Sequence, residues 1–240
     1  MKQNFIYLFI IIISFLFAGC LRTYYPAIYQ TSSSPMIYES SDISKKMNSY
    51  YGADVTISKG DYNNESIQLL KGSYTLVNTQ DYFNVNPMIF GYAGNYKVSG
   101  LGEYDGNKTV FGLGGQFSTS INIKIKSLKI GLGLSAGFVG EFGGYYNFRR
   151  NADSEGIIKS EEKLFSLMFS AFPVISYEFS KSTILSTQAN LGVPGLLSPS
   201  LVVNNNGYVY WLSWIPDNFN RNNIFGHRLV IGFMINVNNL

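Results

Sequence analysis

The sequence predicts an all-β chain, an antiparallel transmembrane β-barrel of eight strands with ten as the alternative count. Three observations lead there. Charged residues make up only 14% of the 240, while aromatics reach 16% and Gly, Tyr and Phe number 24, 18 and 18. Apolar and small polar residues alternate with period two over long stretches, as from Leu128 to Phe148. Tight and long polar connections alternate between those stretches. So little charge excludes both a disordered chain and a water-soluble helical one, whose outer faces need Lys and Glu. Lys and Arg total 18 against 15 Asp and Glu, and a net charge of +3 is too small a bias to point to nucleic acid. The single Cys excludes a disulfide framework and a Cys-based zinc site.

At the N-terminus, Lys2 precedes an almost unbroken apolar run from Phe5 to Gly19. That length suits the apolar region of a signal peptide and falls short of the roughly 20 residues of a spanning helix. The run ends Phe17-Ala18-Gly19-Cys20, which resembles a bacterial lipobox. The resemblance implies a signal peptide over 1–19, cleavage before Cys20, and lipidation of Cys20, palmitate included. Leu21-Arg22-Thr23 carries no acidic residue. By the same resemblance this favours retention on the outer membrane. Residues 20–49 hold Pro26, Pro35 and Ser32-Ser33-Ser34, and read as a lipidated N-terminus and linker that also has the option of entering the barrel lumen.

Residues 50–240 carry the barrel. Strands are expected at 50–58, 66–78, 82–98, 109–126, 127–148, 163–180, 182–196 and 224–238. On the fifth of these, Leu128, Ile130, Leu132, Leu134, Ala136 and Phe138 share one face, opposite Lys129, Gly131, Gly133, Ser135 and Gly137. Successive strand side chains point to opposite faces, so one face is apolar and the other is polar or tiny. Phe111, Leu113, Phe117 and Ile121 repeat the pattern before it, and Phe165, Leu167 and Phe169 after it. Leu229, Ile231, Phe233 and Ile235 carry it near the end, opposite Arg228, Gly232 and Asn236. Stretches 66–77 and 82–98 alternate poorly, and a bulge at Pro87 is the expected reason. The polar face is mostly Gly, Ser, Asn and Gln, which makes a poor solvated exterior and a good crowded interior. A lipocalin-like soluble barrel has the same period with its apolar face inside and remains the alternative.

The connections near 79–81, 126–127 and 180–182 are tight, and those near 59–65, 99–108, 149–162 and 197–223 are long, as for periplasmic turns and external loops. Eight strands place both ends of the barrel on the periplasmic side, with the lipid of Cys20 in the inner leaflet of the outer membrane. Asn204-Asn205-Asn206-Gly207 and the run Tyr208–Ile215 are expected to form an external hairpin on the last loop, with ten wall strands as the alternative. The end of the chain, Gly232-Phe233-Met234-Ile235-Asn236-Val237, is similar to the assembly signal of outer-membrane barrels. The start of the mature chain, Thr23-Tyr24-Tyr25 and then Pro35-Met36-Ile37-Tyr38, is similar to uncharacterised barrel lipoproteins of Bacteroidota. These likenesses imply outer-membrane lipid, barrel-assembly machinery and lipoprotein-sorting machinery as partners.

Residues with chemistry are few. His227 is the only His, beside Arg228 on the last strand. A deacylase-type site needs a Ser two residues further on, where Leu229 stands, so His227 is read as an interfacial side chain. Glu161-Glu162, with Asp153 and Glu155, reads as a solvated loop rather than a cation site. Gly112-Leu113-Gly114-Gly115 lacks the strand–loop–helix context of a nucleotide loop. Tyr208, Tyr210, Trp211 and Trp214 form the densest aromatic cluster, a candidate external patch for a glycan or protein ligand against the alternative of a membrane-interface belt. No catalytic residue, metal site or cofactor is assigned. The function expected is an envelope structural or surface-binding role without catalysis. The alternatives are a lipid-modifying enzyme of deacylase or lipase type, a small-solute pore, or a periplasmic lipocalin-like binding lipoprotein.

Overall fold

The structure is a computed structural model that describes residues 21–39, 47–62, 64–160, 163–215 and 228–239. Cys20, the pair Glu161-Glu162 and His227 lie outside the described residues. In chain order the strands are β1 (Arg22–Tyr24), β2 (Asn48–Lys59), β3 (Ser66–Thr79), β4 (Phe83–Val98), β5 (Gly106–Ile125), β6 (Leu128–Phe142), β7 (Ile158–Ser160), β8 (Phe165–Glu178), β9 (Thr183–Val193), β10 (Leu196–Asn205), β11 (Tyr208–Ile215) and β12 (Arg228–Asn236). One helix, α1 (Gly144–Ser154), lies between β6 and β7. β1 and β7 pair in parallel as a small separate sheet. The other ten strands close into a barrel in which every pairing is antiparallel, sealed where β12 meets β2.

The alternation dictates the wall. Phe117, Leu132, Leu134 and Ile231 are 49%, 71%, 50% and 55% exposed, while their neighbours Ser118, Ser135 and Val230 are buried. The apolar face therefore points outward along the whole circumference, and Ser, Asn, Gln and Gly line much of the inside. This is the reverse of a lipocalin-like barrel. Tyr51, Tyr82, Tyr177, Tyr208 and Tyr210 project outward at one rim, and Phe111, Phe142, Phe165 and Trp214 at the other. Both β2 and β12 have their free ends at the first rim, which carries the connections 80–82, 126–127, 179–182 and 206–207. At the opposite rim lie the described residues of 60–65, 99–105 and 143–164, the end of β11 at Ile215 and the start of β12 at Arg228, together with one tight turn at 194–195. These are called here the short-turn and long-loop mouths.

Three sequence expectations are corrected. The wall has ten strands, the alternative count rather than the favoured eight, because the expected external hairpin is part of it: β10 pairs with β9 on one side and β11 on the other, and β11 pairs with β12. The expected strand 127–148 stops at Phe142. Gly143 has φ 105°, a conformation open to Gly at no steric cost, and the chain turns there into α1. Tyr145, Phe148, Arg149 and Ala152 then recur at helical spacing on the buried face of α1. Finally, Pro87 makes no bulge. β4 keeps one register against β5 from Phe83 to Val98. The alternation of β3 and β4 is spoiled because Ile67, Leu69, Val77, Met88 and Phe90 face inward and join one buried cluster with Tyr24, Ile28 and Ile37.

Candidate functional site

The candidate site is the lumen, and the chain itself occupies it. Arg22–Glu39 enters at the long-loop mouth, makes one 3-10 turn at Ala27–Gln30, and runs on to the short-turn mouth. Every described residue from Thr31 to Glu39 is buried. The sequence reading left this option open for the linker, and the structure takes it. Small polar residues suit such a path: a buried backbone must have partners, and the Ser, Asn and Gln of the inner wall supply them.

The contacts form three tiers. At the long-loop mouth, three carboxylates, two from the 60–65 connection and one near the end of β6, grip the thread as a latch. Glu65 accepts from the Tyr24 hydroxyl at 2.5 Å and from the Tyr96 hydroxyl at 2.8 Å. Asp61 accepts from the Gln30 amide. Glu141 accepts from the Ala27 N–H at 2.5 Å and pairs with Arg149 of α1 at 2.7 Å. Arg228 donates to the Tyr29 carbonyl at 3.0 Å, and Tyr145 to the Tyr25 carbonyl at 3.0 Å. Tyr24 packs between Tyr62 and Phe148, with ring centroids 5.3 and 5.2 Å away.

In mid-lumen, Lys71 pairs with Asp54 at 2.8 Å and donates to the Ser34 hydroxyl at 2.8 Å. Gln116 donates to the Ser34 carbonyl at 3.2 Å, and the Met36 N–H donates to Gln188 at 3.2 Å. Asn86 donates to the Ile37 carbonyl at 3.2 Å. At the short-turn mouth, Tyr38 meets the Ser120 hydroxyl at 2.8 Å, and Asn204 donates to the Tyr38 carbonyl at 2.9 Å. Glu39 accepts from Tyr50 at 2.6 Å and from Asn48 at 2.9 Å. A polar cleft of about 150 Å³ opens beside Glu39, lined by Asn48, Tyr50, Asn204 and Asn236.

Asp61 gives the latch a pH dependence. Complete burial pushes its carboxyl up to about 7, opposed by the nearby Arg228 and the Gln30 hydrogen bond. A raised carboxyl makes the folded state hold a proton that the unfolded chain has released. Its stabilising effect is full below the ordinary value of 3.8 and is lost as pH rises to about 7. Asp61→Asn is expected to remove roughly 2 kcal/mol of the stability difference between pH 5 and pH 7. Unfolding in detergent micelles at the two pH values measures it.

The four residues of the expected aromatic patch do not form one surface. Tyr208, Tyr210 and Trp214 point outward on β11, while Trp211 is buried in the lumen and its ring fills the space where a Gly232 side chain would be. The belt reading fits the three outward residues. No group of three His, Cys, Asp or Glu suited to a metal ion occurs among the described residues. The lumen latch was missed from sequence. Its signal was the run of inward apolar residues in β3 and β4, which a barrel lined only with water or small side chains has no use for.

No protein-family model matches the chain, and no curated protein matches it. Among solved structures, it is similar to an outer-membrane channel of Pseudomonas putida F1, with 12% identity, a TM-score of 0.42, and coverage of 85% of this chain and 100% of that one. It is also similar to the outer-membrane protein OprG of Pseudomonas aeruginosa, with 10% identity, a TM-score of 0.34, and coverage of 84% and 97%. A third is the toluene transporter TodX of Pseudomonas putida, with 9% identity, a TM-score of 0.35, and coverage of 90% and 76%.

Proposed function

We propose that the chain is an outer-membrane β-barrel lipoprotein, anchored through Cys20 and closed by its own N-terminal segment, with an envelope structural or surface-binding role and no catalysis. The observation that carries the reading is the buried thread Thr31–Glu39 inside a wall whose outer face is apolar. Exposed Leu, Ile and Phe all round a closed barrel, edged by aromatic residues at both rims, match a bilayer's apolar band and its two interfaces. Water would disfavour the same surface, because contiguous exposed apolar patches on soluble proteins are small.

The small-solute pore is the reading this geometry opposes. A lumen crossed by a hydrogen-bonded polypeptide and a Lys71–Asp54 pair is filled, as narrow barrels usually are. Purified full-length protein in a planar bilayer is therefore expected to give no conductance steps. Steady single-channel openings from the intact chain would replace this proposal with the pore.

The anchor has its own test. Cys20→Ala is expected to eliminate incorporation of a clickable fatty acid into the protein, and unchanged incorporation would end the lipoprotein reading. The partners proposed are outer-membrane lipid, the machineries of barrel assembly and lipoprotein sorting, and a glycan or protein at the exposed loops.

A further inference from the structure

We infer that the N-terminal segment spans the membrane inside the barrel, so that the chain begins on the outer, cell-surface side and the lipid of Cys20 sits in the outer leaflet. The placement of the lipid rests on the proposed acylation of Cys20; the path of the thread does not. The sequence alone placed that lipid in the inner leaflet, because eight strands put both ends of the barrel on the periplasmic side. The thread reverses that conclusion.

The path is fixed at both ends. Arg22 donates to the Ser99 carbonyl at 2.6 Å, and Tyr24 to Glu65, both in connections of the long-loop mouth. β1 pairs with β7 in the longest of those connections. Seventeen residues after Arg22, the Glu39 N–H donates to Thr79 at the end of β3, and the Glu39 carboxylate meets Asn48 and Tyr50 at the start of β2, all at the opposite mouth. Ala27–Glu39 is long enough: the four residues of the 3-10 turn rise about 8 Å and the nine that follow reach at most roughly 30–32 Å, against an apolar band of about 25 Å.

Long loops face outward and tight turns face the periplasm in barrels of this kind. Leu21, the first described residue, is exposed at the long-loop mouth, and Cys20 is one peptide unit, about 3.8 Å, before it. The anchor and the barrel's free ends therefore lie on opposite sides. A second consequence concerns assembly. The filled lumen has no room for an acylated end to be drawn through afterwards, so the wall has to close at the β12–β2 seam around a thread already in place.

Thiol accessibility tests this in intact cells making the full chain. Three variants are compared: Leu21→Cys, Glu103→Cys in the 99–105 connection, and Ser127→Cys in the β5–β6 turn. The probe is a membrane-impermeant maleimide. Leu21→Cys is expected to label like Glu103→Cys, with no label on Ser127→Cys until the outer membrane is permeabilised. Leu21→Cys behaving like Ser127→Cys overturns the thread. Ser127→Cys labelling in intact cells while the other two stay protected overturns the cell-surface side.

The parent chain, denatured, reports acylation separately. A free thiol there removes the lipid and leaves the thread to be judged by the three variants. Should Leu21→Cys fail to accumulate, a short polar epitope inserted between Leu21 and Arg22 and detected by antibody on intact cells gives the same reading. Antibody binding only after permeabilisation overturns it.

Discussion

Leu132→Arg is expected to prevent the folded protein from accumulating in the membrane fraction. Leu132 stands near the middle of β6, points away from the lumen and is 71% exposed. Arg on the lipid face near the bilayer midplane costs roughly 2–4 kcal/mol, a large share of a stability that is usually 5–15 kcal/mol. The same substitution in a water-soluble barrel would relieve an exposed apolar side chain and do no harm. The two environments therefore predict opposite signs, and heat-modifiable migration of the variant on a gel reads which one holds. Ser135→Asn, on the inner face of the same strand, tests a different constraint. Ser135 accepts from the Ser118 hydroxyl at 3.1 Å in a filled lumen, so extra volume there costs packing rather than solvation.

Glu141→Leu is expected to destabilise the long-loop end more than any other single change in the lumen. Glu141 and Arg149 are 2% and 1% exposed at their side chains and 2.7 Å apart. Removing one member of such a pair leaves an uncompensated buried charge, at a cost of about 3–5 kcal/mol. Glu141 also accepts from the Ala27 backbone, so its loss releases the thread where it enters. Two readouts separate these effects. Denaturant unfolding in micelles should fall by the stated amount, and Arg22 should become a site of tryptic cleavage in the folded protein. The double variant Glu141→Leu with Arg149→Met is expected to recover most of the stability, because an apolar pair of similar volume replaces the ion pair without a buried charge. It should not restore protection at Arg22, since the Ala27 contact stays absent.

What the sequence revealed depended on whether a residue's two possible environments differ. On β6 they do: Leu132 and Leu134 against Gly133 and Ser135 announce two unlike faces, and the structure places them so. In the thread they do not. Ser32-Ser33-Ser34 is as suited to water as to a polar lumen, and nothing local distinguishes a linker from a buried strap. β10 and β11 were read first as an external hairpin for a third reason. Pro199 interrupts the strand signal, and Trp211 is large, aromatic and inward where the pattern leads one to expect a small residue. Helix α1 was legible in principle, since Tyr145, Phe148 and Ala152 keep helical spacing, but Tyr146 and Phe148 also continue the period of two from β6. Only the backbone at Gly143 separates the two readings. Of the latch carboxylates, Asp61 and Glu65 share one connection, and the barrel's closure is what brings Glu141 of β6 to the same mouth.

The claim on which the rest depends is that the apolar face of the wall meets lipid while the polar face meets the chain's own N-terminus. Fluorescence of a single labelled thiol in vesicles tests it directly. Leu132→Cys carrying a polarity-sensitive dye, in vesicles whose acyl chains are brominated at mid-depth, is expected to be strongly quenched and to emit as in hydrocarbon. Ser34→Cys is expected to stay unreactive toward the dye in the folded protein, because its side chain is buried in the lumen. Emission from Leu132→Cys as in water, with no quenching by brominated chains, would contradict the account.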